Sequence, residues 1–320
     1  MAILAGIDEA GYGPTLGPLV VSGVAFRLPD AMLNQCLWEV LSRSCTKQTR
    51  RAGRCLPVTD SKKLYKPKSG ITSLERTALV MLSLDGAAPD SFGALLRKMA
   101  PQAVKPFAAY PWYARGSPPL PLSPDIGDLP TRANAVRRDL AAHKIEFLGV
   151  FGEPLPEGHF NRVVRKTRNK SVVLSGLALS VVDRILRLDR AERVRVRVDR
   201  LGGRMHYREL LAHAFPDGDL HILEETERRS AYRLTIKRRV VEIEFKPKGD
   251  DQHFSVALAS IFSKYLRELS MHQFNAYWCR QQPGLQPTAG YYTDARRWLA
   301  DAHGTIRRLA VSSEELVRCR

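Results

Sequence analysis

The chain has 320 residues, 44% of them apolar, enough to bury a large core in one or two domains, and its 50 Lys and Arg against 33 Asp and Glu leave a net charge of +17. That charge points to a polyanionic partner, nucleic acid ahead of an anionic membrane. No apolar run is long enough to span a bilayer and no signal-peptide pattern opens the chain, so a soluble cytoplasmic protein is expected, with no membrane partner.

The five cysteines form no Cys-x-x-Cys pair, which disfavours a zinc site or a disulfide framework; free thiols are expected, with a Cys45–Cys55 pair as the alternative. Apolar runs predict buried strands over 2–9 and 18–27, joined by the turn Gly11-Tyr12-Gly13-Pro14. The first strand ends in adjacent carboxylates, Asp8 and Glu9. An unpaired buried charge is costly, and a divalent cation is a natural partner. Neighbours on a strand point to opposite faces, so both acids serve one site only where the strand ends, twists or bulges.

Residues 30–44 show the three-four spacing of a helix, followed by a basic loop (Lys47, Arg50, Arg51, Arg54) and then Asp60-Ser61-Lys62-Lys63-Leu64. The stretch 66–145 is proline-rich and reads as a surface excursion with helices near 89–99 and 131–143. A strand at 145–150 precedes a long amphipathic helix over 169–188. Arginine and valine then alternate from Arg193 to Asp199, the pattern of a strand with one wet face. Further strands are expected at 220–224, 230–237 and 239–246, the last two a basic hairpin, and helices at 256–269, 293–302 and 312–318.

Three more carboxylates sit at element ends, where loops gather side chains into one site. Asp199 precedes Leu201-Gly202-Gly203, while Asp250 and Asp251 precede the helix near 255. Oxygen donors suit Mg2+ or Mn2+, and two such ions can activate a water and stabilise the leaving oxygen of an in-line phosphoryl displacement. Structural readings compete at single positions: Asp199 as a turn residue, Asp250 or Asp251 as a helix cap, Lys63 as a solvated lysine.

Taken together, Gly6-Ile7-Asp8-Glu9-Ala10-Gly11-Tyr12-Gly13-Pro14, Asp60-Ser61-Lys62-Lys63-Leu64, Lys248-Gly249-Asp250 before Ala257-Leu258-Ala259-Ser260-Ile261-Phe262-Ser263-Lys264, and Gly290-Tyr291-Tyr292-Thr293 resemble the four motifs of ribonuclease HII, the type 2 ribonucleases H, in order. The resemblance implies a single RNase H-like α/β domain, a mixed central sheet flanked by helices, working as a monomer. It implies a two-metal-ion endonuclease, using Mg2+ or Mn2+, that cuts the RNA strand of RNA–DNA hybrids or ribonucleotides embedded in duplex DNA. Its catalytic and metal-binding acids would be Asp8, Glu9, Asp199 and Asp250, with Asp8 bridging the ions. Gly11, Tyr12 and Gly13 would read the 2′-hydroxyl, Lys62 and Lys63 would hold phosphates, and Tyr291 would stack on the nucleotide beside the cleavage site.

Two departures bear on substrate preference: Tyr12 stands where the family has arginine and Tyr292 where it has glycine. The chain is also long for the family, with insertions at about 66–145 and 203–246. The second carries Arg228, Arg229, Arg233, Lys237, Arg238 and Arg239 and is expected either to extend the duplex-binding surface or to guard a sheet edge. The alternatives are a non-catalytic nucleic-acid binder of the same fold and a related metal-dependent nuclease with another target.

Overall fold

A computed structural model describes residues 1–51, 53, 55–65, 70–114, 116–188 and 191–319, so Arg54 and residues 66–69 lie outside the described residues. The strands are β1 (Ala2–Ala10), β2 (Leu19–Leu28), β3 (Cys45–Thr46), β4 (Leu56–Pro57), β5 (Glu146–Leu155), β6 (Arg193–Asp199), β7 (Asp219–Glu225), β8 (Ser230–Ile236) and β9 (Arg239–Lys246). The longer helices are α1 (Thr72–Leu82), α2 (Phe92–Met99), α3 (Leu129–Ala142), α4 (Glu157–Thr167), α5 (Lys170–Leu188), α6 (Phe254–Gln281) and α7 (Tyr292–Asp301).

Seven strands form one sheet in the order β5-β2-β1-β6-β9-β8-β7. The pairs β1–β6 and β6–β9 are parallel and the other four antiparallel. The fold is thus α/β: a mixed sheet with α6 on one face and α5 on the other. β1 lies at the middle of this sandwich, which is why it reads as an unbroken apolar run. Val194, Val196 and Val198 of β6 are buried with Val181 and Ile185 of α5, while the intervening arginines face the other way. All five cysteines are free.

Several expectations need correction. Residues 30–44 form only a turn at Asp30–Met32 and four helical residues, Leu37–Val40. Between them the chain is drawn to the sheet: the Leu33 carbonyl and the Asn34 side chain accept hydrogen bonds from Arg197 and Arg195. The proline-rich stretch is no surface excursion. Phe92, Phe107, Tyr110, Trp112 and Tyr113 are buried in the same core cluster as α6. Helices α1 and α4 were not expected, and α6 runs twelve residues past the expected end at 269. The basic hairpin is found, but β9 is an interior strand, pairing with β6 along its length. Its turn at Lys237–Arg238 neighbours Arg193, the end of β6 remote from Asp199.

Candidate active site

The end of β1 builds the site. Its pairing with β6 stops at Ile7–Val198, whereas its pairing with β2 continues to Ala10. Held on one side only, the strand end brings Asp8 and Glu9 to the same place, and the Glu9 amide donates to Asp8 Oδ1 at 2.7 Å. Asp199, the last residue of β6, joins them: carboxylate oxygens of Asp8, Glu9 and Asp199 all lie within 4.8 Å of one another. The amide of Gly249 donates to Asp199 Oδ1 at 2.7 Å, which fixes Lys248-Gly249-Asp250 beside it.

Helix α6 holds these pieces together. Gly6 is needed because a β-carbon there would lie 2.1 Å from the Ser255 carbonyl carbon, so helix and strand touch backbone to backbone. The hydroxyl of Ser263 donates to the Asp8 carbonyl at 2.9 Å, and Ser260 meets the Ser61 hydroxyl at 3.0 Å. The Arg267 guanidinium, 1% exposed, donates to the carbonyls of Leu16 and Ala289 at 3.2 and 3.3 Å. The two glycine-bearing loops, 11–17 and 289–290, therefore share one anchor.

A cavity of about 520 Å³ opens here. Of the expected residues, Asp8, Glu9, Gly11, Tyr12, Lys62, Asp199, Asp250 and Tyr291 line it; Gly13 and Lys63 do not. Lys63 is ion-paired with Asp251 at 2.7 Å, and Gly13 is solvent-exposed. The ring of Tyr12 is part of the wall, with Lys170 Nζ 5.3 Å from its centroid and Gly202 packed against it. Tyr291 is 51% exposed, its ring over Arg267 at 5.7 Å.

Asp60, Lys248, Ser260 and Lys264 also line the cavity and were not singled out from the sequence. Each lies within a segment quoted for the resemblance, so motif membership was the available signal. Asp60 also caps the helical turn Ser61–Leu64, accepting from the Lys62 amide at 2.9 Å.

The electrostatics are those of crowded acids. Burial raises Asp8 well above the usual carboxylate range, and the charges of Glu9 and Asp199 add to it. Burial and then Asp199 push Glu9 up to about 8, and burial, Asp60 and Asp199 push Asp250 to about 6. Burial raises Asp199 too, against the hydrogen bonds from Gly249 and Arg200. Glu9 Oε2 is buried without a hydrogen-bond partner. A three-carboxylate cluster with an orphan oxygen and mutually repelling charges fits hard divalent cations of the Mg2+ or Mn2+ type.

Among solved structures, the chain is similar over 99% of its length to the complex of PCNA and ribonuclease HII from Archaeoglobus fulgidus, with a TM-score of 0.45, 16% identity and 94% of that chain covered. It is similar over 98% to ribonuclease H2 from Pyrococcus horikoshii OT3, at TM-score 0.46, 13% identity and 92% of that chain. Against Bst-RNase HIII in complex with Mn2+, 99% of the chain aligns at TM-score 0.47 and 15% identity, covering 66% of that chain. No family model and no curated protein matches the chain. Likeness at this level carries neither family membership nor an activity over to this protein.

Proposed function

We propose that this protein is a metal-dependent endonuclease of the ribonuclease H kind, of type 2, hydrolysing the RNA strand of hybrids or ribonucleotides within duplex DNA. One observation carries the reading. Asp8, Glu9, Asp199 and Asp250, four acids from three distant segments, meet at one cavity in a protein of net charge +17. A non-catalytic binder of a polyanion gains nothing from such a cluster, because bare carboxylates repel phosphate.

In this reading Asp8, Glu9, Asp199 and Asp250 hold the divalent ions, and Ser263, Gly249 and the Glu9 amide fix the orientation of the ligands. Bound ions would supply Lewis-acid stabilisation to the attacking and departing oxygens. Hydrolysis forms a bond from a water oxygen to phosphorus and breaks the bond to the 3′ oxygen. Lys62, whose charge acts on both Glu9 and Asp199, neutralises the phosphate as it approaches. The main chain at Gly11, bare of a β-carbon, is where a 2′-hydroxyl is read, with Tyr12 closing that side and Tyr291 offering a flat ring to the neighbouring nucleotide.

The deciding assay incubates the protein with Mg2+ or Mn2+ and three duplexes: all DNA, RNA–DNA hybrid, and DNA with one ribonucleotide. Cleavage at ribonucleotides alone is expected, and cleavage of the all-DNA duplex, or of none, overturns the reading. Asp8→Asn and Asp250→Asn should each lower cleavage by more than about 100-fold with circular dichroism unchanged.

A further inference from the structure

We infer that the partly open half of the sheet, formed by β6, β9 and β8, is a second polyanion-binding surface that receives the nucleic-acid flank beyond the cleavage site. The choice of nucleic acid rests on the function proposed above; the surface itself rests on its own geometry. On the face shared with Asp8 and Asp199, α6 packs over β1 and β2. Beyond them the alternation of β6 puts Arg193, Arg195 and Arg197 on that face, Arg193 exposed and the other two half-buried beside Asn34 and Leu33, opposite Val240, Glu242 and Glu244 of β9. Two hollows of about 290 and 270 Å³ lie there, walled by Leu33 and Asn34 on one side and by β8 on the other.

Polar side chains on a partly solvated face of a mixed sheet ordinarily need no explanation. This one is unbalanced. Six cations (Arg193, Arg195, Arg197, Arg229, Arg233 and Lys246) meet three carboxylates, Glu224, Glu242 and Glu244. Each central glutamate is already shared: Glu242 by Arg195 at 2.5 Å and Arg233 at 3.0 Å, Glu244 by Arg229 at 2.6 Å and Lys246 at 3.4 Å. Arg193 has no ion pair and Arg197 reaches only the Leu33 carbonyl among the described residues. The glutamates orient the arginine forks and leave a net positive charge in a concave strip, which is the complement of a phosphate backbone. The strip follows β6 from Asp199 to Arg193, roughly 20 Å at 3.3 Å per residue, or about six base pairs of duplex.

The test uses Arg193→Gln combined with Arg233→Gln, which leaves Glu242 its partner Arg195, and a paired Arg193→Lys, Arg233→Lys variant that keeps the charge. Binding is measured by fluorescence anisotropy on Asp8→Asn protein, so that cleavage plays no part. The substrates are hybrids whose flank past the target nucleotide is about four or about fifteen base pairs long, ending before or after Arg193. The glutamine pair should weaken long-duplex binding roughly tenfold and lower its salt slope by about 2, with short-duplex binding and melting temperature unchanged. The lysine pair should retain most of the affinity. Equal loss on both lengths, no loss on either, or equal displacement of the long duplex by polyglutamate overturns the inference. Length-dependent binding in a protein that cleaves none of the duplexes would leave this surface standing and remove the nuclease reading alone.

Discussion

Gly11 has φ of +87°, and a β-carbon there would lie 2.7 Å from the Pro18 carbonyl oxygen and 2.5 Å from Arg267 Nε. Gly11→Ala should therefore destabilise the protein by about 1–3 kcal/mol and displace the turn that borders the cavity. Chemical denaturation checks the first effect. The second appears as a larger loss of cleavage on a single-ribonucleotide duplex than on a continuous hybrid. At this scale the sequence was most legible. Asp8 and Glu9 stand out because acids are rare in a buried strand, and Asp199 because it ends an alternating one. Asp60 and Lys264 were not singled out, because a capping aspartate and a helix lysine have ordinary structural readings. Lys63 is the opposite case: its neighbour Lys62 lines the cavity, while its own charge is spent on Asp251.

Elements whose apolar residues form a stripe or an alternation were legible, as with α5 and β6. Those buried on nearly every side were not. In α1 the residues from Leu74 to Leu82 are buried except Arg76, so no periodic stripe marks the helix. The C-terminal half of α6 is a different case: Met271, Phe274, Tyr277 and Trp278 are buried at helical spacing, a stripe that continues the helix past 269 and was not read. The packing of the proline-rich stretch depends on partners distant in sequence. Glu75 of α1 accepts from the amides of Leu122 and Ser123 at 2.8 and 2.9 Å and from the Tyr265 hydroxyl at 2.9 Å. At the start of α4, Glu157 is fully buried, accepting from the Gly17 amide and the Tyr113 hydroxyl at 3.1 Å each, and burial pushes its carboxyl up to about 7. Its native form keeps a proton that the unfolded chain has released, so stability should fall as pH rises from about 4.5 to 7 and level off above, by about 3 kcal/mol at most. Glu157→Gln should flatten that part of the pH–stability curve, measured by denaturant titration.

For the molecule as a whole, the acid cluster is a fault that folding tolerates. Burial raises all four carboxyl groups and the neighbouring acids add to it for Asp8, Glu9 and Asp250, so the cation-free protein holds them at a disadvantage. Adding Mg2+ or Mn2+ after EDTA should raise the melting temperature, by about 1.5 °C per kcal/mol of binding energy for a chain of this size. Asp8→Asn should lose that response while melting above the wild type in EDTA. A wild-type melting curve indifferent to both ions would deny the cluster a metal. The mixed sheet with helices on both faces agrees with what the four motifs implied. The seven-strand width and the buried proline-rich stretch follow from pairings between distant segments, which no local pattern announces.

The 28 residues of α6 span about 42 Å. Every one of the four tryptophans is tied to that rod. Trp38 packs edge-on against Phe254 at its first turn, centroids 5.8 Å apart. At the other end Trp278 meets Trp112 at 6.0 Å and Trp298 at 5.2 Å. The intrinsic fluorescence of this protein is therefore a gauge of one event, the seating of a single helix, read at both tips. A Trp38→Phe protein reports the far tip alone, and the difference from wild type reports the tip nearest the acids. The two denaturation curves should coincide, because a rod fastened along β1 leaves the sheet as a unit. A near tip that melts first would mean that the acids can disperse while the rest of the protein stays folded.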